Sequence, residues 1–177
     1  MSFFAIRRLA AGGVCTGLLL VGCSSAPEDP PTDTDAEAVT VSEQWVKAAE
    51  SGMSSAFAQL SNTADRDVRI VSVSSPSAAR AELHEVVTEA DGATMMRHKH
   101  GGITIPANST HDLVPGGDHL MLFDLTAPLT PGTTTTFSLT FEDGSTADFD
   151  AQVRDFSGNQ ESYEPDTTPA STPEYGG

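Results

Sequence analysis

An all-β domain, built as an antiparallel sandwich or barrel, is the fold class that the sequence predicts. Three observations carry it. Short runs of alternating apolar and polar residues recur through the middle of the 177-residue chain, each bounded by turn residues. Two Asp-Gly pairs, Asp91-Gly92 and Asp143-Gly144, separate such runs where a hairpin calls for a residue of positive φ. The composition, with 15 Gly, 11 Pro and abundant Thr, fits strands and turns better than a helical bundle.

Taken in order, Ser42–Ala49 suits either a helix or a strand, with Trp45 as a core anchor. Ser55–Leu60 alternates as a strand and stops at the polar turn Asn62-Thr63-Ala64-Asp65. Val68, Ile70, Val71 and Val73 mark the next strand, ended by Ser75-Pro76. Arg80–Thr88 and Ala93–Lys99 form a predicted hairpin around Ala90-Asp91-Gly92. Ile103–Ile105 is a short strand between Gly101-Gly102 and Pro106, and His119–Leu125 follows the turn Pro115-Gly116-Gly117. Thr134–Phe141 and Thr146–Val153 flank Glu142-Asp143-Gly144 as a second hairpin. About seven to nine such strands predict one sandwich over residues 41–156.

The two ends read differently. Arg7 and Arg8 precede the apolar stretch Leu9–Val21, which is too short to span a bilayer and suits a signal h-region. Residues 1–22 are therefore expected to be a signal peptide. Leu20-Val21-Gly22-Cys23 resembles a bacterial lipobox, which predicts lipidation of Cys23 and an exported protein anchored on the extracytoplasmic face of the cell membrane. An ordinary cleaved signal with an incidental cysteine is the plainer alternative, but no A-x-A site competes. Arg7-Arg8 leaves both Sec and twin-arginine export open. Residues 23–40, rich in Pro, Ser, Thr and acid, are expected to form a disordered tether. Such a coil holds the domain roughly 20–25 Å from the membrane by square-root scaling. Residues 157–177 are expected to be a disordered acidic tail.

Charge and cysteine usage narrow the function. Lys plus Arg number 9 against 25 Asp plus Glu, a formal −16, and loss of Arg7 and Arg8 with the signal makes it −18. So acidic a chain lacks the basic face that nucleic acid or anionic lipid needs, so the membrane is met through the lipid anchor only. Cys15 goes with the signal and Cys23 with the lipid, leaving the domain no thiol. No Ser, Cys or Thr nucleophile comes with a recognisable base, and no phosphate-binding glycine pattern occurs. Glu142-Asp143 reads as hairpin chemistry, so the chain is not expected to be an enzyme.

What remains is a set of soft donors. The mature chain carries Met53, Met95, Met96 and Met121 with His84, His98, His100, His111 and His119. In His119-Leu120-Met121-Leu122 an imidazole and a thioether lie two residues apart, on one face of a strand, with both leucines on the other. Thioether plus imidazole without thiolate suits Cu(I) and attracts zinc, calcium or magnesium poorly. Alone, the pair reads equally as a surface histidine beside a core-filling methionine. His84 faces away from Leu83 in the same manner.

Longer stretches resemble the PCuAC copper chaperones: Ala81-Glu82-Leu83-His84-Glu85, Met96-Arg97, Gly102-Ile103-Thr104-Ile105-Pro106-Ala107, and Pro115-Gly116-Gly117-Asp118-His119-Leu120-Met121-Leu122. The likeness continues through Pro128-Leu129, Gly132 and Leu139–Gly144 and covers roughly residues 45–153. It implies a cupredoxin-like Greek-key β-sandwich. It also implies an extracytoplasmic Cu(I) chaperone whose acceptor is a cytochrome c oxidase subunit, for CuA assembly, or another copper chaperone. The family's metal pattern is a His, ten residues, a Met, about 21 residues, then His-x-Met, which falls on His84, His119 and Met121. Its first Met is Met95 by the count from His84, or Met96 when the register follows Arg97 and the Gly-Gly stretch. Adjacent strand residues face opposite sides, so one of the two joins the set; Met96 is preferred, with Met95 as the alternative.

His98 and His100, two apart, are expected to share Met96's face and could supply a secondary Cu(II) position, or simply be a solvated segment around Lys99. His111 is expected to face solvent. A redox cupredoxin needs a thiolate that this domain lacks. Copper storage or tolerance, and a non-metal surface adhesion or assembly sandwich, are the competing functions.

Overall fold

The computed structural model describes residues 33–158 and 162–163. The signal peptide, Cys23 and the first part of the expected tether lie outside the described residues. One short helix, α1 (Asp35–Ala38), precedes eleven strands: β1 (Val39–Lys47), β2 (Ser54–Asn62), β3 (Val68–Ser74), β4 (Ala78–Thr88), β5 (Thr94–His98), β6 (Ile103–Ile105), β7 (Ser109–Leu113), β8 (His119–Leu125), β9 (Thr134–Phe141), β10 (Thr146–Arg154) and β11 (Ser162–Tyr163). Their hydrogen-bonded order is β11-β5-β4-β8-β2-β1-β10-β9-β3-β6, with β7 on β2. The fold is the predicted all-β, cupredoxin-like sandwich.

Alternation builds it. Along β10, Phe149, Ala151 and Val153 are buried and the residues between them exposed. β9 contributes Phe137, Leu139 and Phe141 by the same period of two. The path folds over so that Leu83 and Leu120 of β4 and β8 share one core with Ile70, Phe137 and Leu139 of β3 and β9. Each such side chain contributes about 1.5–3 kcal/mol by leaving water. The hairpin at Asp91-Gly92 closes with the Gly92 N–H donating to the Glu89 carbonyl at 2.9 Å.

Of the two alternatives for Ser42–Ala49, strand is what forms as far as Lys47, because Trp45 and Val46 pair with both β2 and β10. Trp45 packs on Phe57 at 4.6 Å between ring centroids. Several other elements differ from expectation. Residues 35–40, expected in the tether, belong to the fold. Thr34 and Glu37 form a capping box, the Asp35 N–H donates to Asp143 Oδ2 at 2.8 Å, and Arg66 pairs with Asp35 at 2.8 Å. The capping box and the Asp143 bond satisfy helix N–H groups that four residues cannot satisfy internally, and the Arg66 pair ties the helix to the rest of the domain. β7 was not foreseen, since Ser109–Leu113 has a single large apolar residue, Leu113, that is buried. Ser162–Tyr163, expected in the tail, pair in parallel with β5. Among the described residues, no helix is long and apolar enough to cross a membrane.

Candidate metal site

β4 lies between β5 and β8 and runs antiparallel to both. The register sets His98, His84 and His119 opposite one another in one row across the three strands. Met96 is opposite Val86, and Met121 is opposite Glu82. Residues paired across strands, or two apart along one, share a face. Glu82, His84, Met96, His98, His119 and Met121 therefore all lie on the face turned away from the main core, while Leu83 and Leu120 enter that core. Met95, opposite Val87, is on the other face from Met96.

His84 and His119 are fully buried, Met121 is 3% exposed and Met96 6%. The two imidazoles stand 5.6 Å apart between centroids. Met96 and Met121 belong with Phe123 to a second apolar cluster, separate from the main core, with Val86 and Tyr163 packed against it. Ser55 Oγ lies 3.4 Å from Met121 Sδ and donates to it. Tyr163, brought in beside Met96 by β11, stacks on His84 at 5.7 Å and 17° and packs on Phe123 at 5.2 Å. Two imidazoles and two thioethers thus lie on one buried face, with the rings of Phe123 and Tyr163 beside them.

Hydrogen bonds orient both rings. His84 Nε2 lies 2.8 Å from Glu82 Oε2, and His119 Nδ1 lies 3.0 Å from the Gly117 carbonyl oxygen. A carboxylate and a carbonyl only accept, so both of these nitrogens carry hydrogen. That assigns His84 Nδ1 and His119 Nε2, both shielded from solvent, as the nitrogens suited to a metal ion. Glu82 also pairs with Arg80, whose guanidinium lies 3.9 Å over the Phe123 ring. Glu82 and Tyr163 were missed as site residues. Glu82 could have been found, since it stands two residues from His84; nothing in the polar sequence around Tyr163 marks it.

His98 and His100 come together by another route than alternation. β5 ends at His98, and a turn through Lys99–Gly102 brings the two rings to 4.3 Å. Gly102 has φ 73°, and a Cβ there would sit 2.3 Å from the Ile70 carbonyl oxygen, so the turn needs glycine. His98 lies 6.2 Å from His84. Lys99 reaches Glu85 at 3.1 Å and Asp118 at 3.0 Å, fastening the turn to β4 and to the start of β8. His111, expected in solvent, is half-buried and bonds Asp118 at 2.9 Å. Burial pushes the Asp118 carboxyl up, but bonds from His111 and Lys99 outweigh it and hold it below the ordinary aspartate range. Among the described residues, no three His, Cys, Asp or Glu side chains gather as a metal site. The donors gathered on this face are imidazoles and thioethers, a set that suits soft cations.

Known proteins resemble this chain in fold and in sequence. Two PCuAC domains of solved structure superpose with it: the copper-bound domain from PmoF2 (TM-score 0.56, 22% identity, covering 67% of this chain and 94% of that one) and the apo domain from PmoF1 (0.57, 21%, 70% and 98%). The solution structure of CuI-DR1885 from Deinococcus radiodurans is similar at TM-score 0.52 and 29% identity, covering 71% of this chain and 85% of that one. A "Putative lipoprotein Lxx21020" of Leifsonia xyli subsp. xyli (strain CTCB07) is 43% identical over 160 residues, 89% of this chain and 96% of its own length. The family whose sequence model matches, over residues 39–153, is described as "Putative lipoprotein LpqE-like". The resemblance to PCuAC proteins thus holds at the level of fold, and the chain belongs to the LpqE-like lipoprotein family.

Proposed function

We propose that the protein is an extracytoplasmic Cu(I) chaperone that takes up one cuprous ion through His84, Met96, His119 and Met121. The observation that carries this reading is the gathering of two imidazoles and two thioethers, from three strands, into one buried face without a thiolate. Met96 stands in the set in preference to Met95 because it shares the face and cluster of Met121. The copper named for the PmoF2 domain and for DR1885 supports the same cargo. Neutral donors keep the ion's charge and bind fewer protons than thiolates do, so a thiolate-bearing acceptor can take the copper by ligand exchange. A cytochrome c oxidase subunit, for CuA assembly, or another copper chaperone is the acceptor in this reading. The imidazole-only pair His98–His100 offers a secondary position suited to Cu(II). The lipoprotein family supports anchoring through Cys23 on the extracytoplasmic side. Copper storage or tolerance would use the same site.

Anaerobic titration of the chain from Ser24 onward, which retains every described strand, tests the reading. One equivalent of Cu(I) is expected, lost in His119→Ala and Met121→Ala and in Met96→Leu but not in Met95→Leu. Weak binding that these substitutions leave unaltered would overturn it in favour of a non-metal surface sandwich.

A further inference from the structure

Four neutral donors cannot compensate the charge of an ion held on a buried face, and burial makes an uncompensated charge costly. One anionic side chain stands on the same face. Glu82 is two residues from His84, opposite Met121 in the register, and its side chain is 17% exposed. Its two oxygens are divided. Oε2 accepts from His84 Nε2 at 2.8 Å, and Oε1 pairs with Arg80. Arg80 is itself seated over Phe123, a member of the methionine cluster. A closed circuit results, running Phe123–Arg80–Glu82–His84–Tyr163 and back to Phe123.

We propose that Glu82 is the positioning residue of this site and its counter-charge: by bonding Nε2 it fixes the ring of His84 so that Nδ1 is the nitrogen that meets the ion, and it offsets the positive charge of that ion. Arg80 fixes the carboxylate in place. Metal-ligating histidines characteristically donate their second N–H to such a carboxylate, which sets the ring's orientation and raises its basicity. The inference rests on the copper reading above for the identity of the cation. Its positioning half concerns the metal-free protein and stands independently.

Three substitutions separate the parts. Glu82→Gln keeps the acceptor and loses the charge, Glu82→Asp keeps the charge and shortens the reach, and Glu82→Ala loses both. Nitrogen-15 NMR of the metal-free protein reads the His84 tautomer, and Cu(I) competition titration reads affinity. Wild type and Glu82→Gln are expected to hold the Nε2–H form, whereas Glu82→Ala admits the Nδ1–H form. Glu82→Ala is expected to bind Cu(I) about 10–100-fold more weakly, with Gln and Asp between it and wild type. An unchanged tautomer in Glu82→Ala overturns the positioning role. Unchanged Cu(I) affinity there overturns the counter-charge. Should Glu82→Ala fail to fold, Gln and Asp variants that both bind like wild type overturn the proposal. A wild-type protein that takes no Cu(I) refutes the copper reading instead, and the tautomer comparison still decides the rest.

Discussion

Alternate residues of β8 enter two different interiors. Leu120 and Leu122 meet Leu83, Ile70 and Phe137 in the main core. His119, Met121 and Phe123 join the smaller cluster with Met96 and, around it, His84 and Tyr163. Residues 119–123 are all buried, so burial by itself does not distinguish scaffold from site. The chemistry of the atoms does. One interior is lined by hydrocarbon and phenyl side chains. The other contains two imidazoles, oriented by hydrogen bonds to Glu82 and to the Gly117 carbonyl, and two polarizable sulfurs. The lesson is that a strand buried on both faces is a place to look for a site where its second face carries donors.

The largest effect expected from breaking this comparison is in the main core. Leu120→Ala should cost about 2–5 kcal/mol of stability, as buried leucine truncations do. It should leave the Cu(I) stoichiometry of the folded protein intact, read by denaturant unfolding beside titration. Met121→Leu is the mirror experiment: volume is nearly conserved, so the cost should stay below about 1.5 kcal/mol, while Cu(I) binding is lost with the thioether. Equal loss of stability in both variants would erase the distinction between the interiors.

A smaller effect is expected where the turn between β5 and β6 meets β3. Gly102→Ala must move the Ile70 carbonyl and hold φ 73° with a Cβ, at about 1–3 kcal/mol. Gly101→Ala, where a Cβ meets nothing within 4 Å, should be silent in the same thermal scan.

The smallest effect concerns pH at the far end of the fold. The Asp35 N–H, then the Ser145 hydroxyl, hold the Asp143 carboxyl below its usual range. A carboxyl lowered in the folded state stabilises above its unfolded pKa, and that contribution vanishes as pH falls through the folded value. Below about pH 4 the protein should therefore lose stability at this contact. Asp143→Asn should flatten that acid limb by less than about 1 kcal/mol without altering Cu(I) binding, read from urea midpoints across pH.

Much of this is legible in the sequence. Strand positions and both Asp-Gly hairpins follow from alternation and turn chemistry, because these act between neighbours along the chain. The placing of His119 with Met121 on one face is of the same kind. Other features were hidden for a physical reason. β7 and β11 are strands because β2 and β5 present edges to them, and their own residues carry little signal. His98 and His100 meet through a glycine turn rather than by alternation.

The sequence by itself determined the class of fold, the absence of cysteine from residues 24–177 and the inventory of soft donors. Those depend on residue type and on a period of two. Only the tertiary structure decided that β4 lies between β5 and β8, that Met96 rather than Met95 shares the histidine face, and that Glu82 bonds one imidazole while Tyr163 stacks upon it. Register between strands distant along the chain is set by the packing of the whole sheet. No local pattern encodes it.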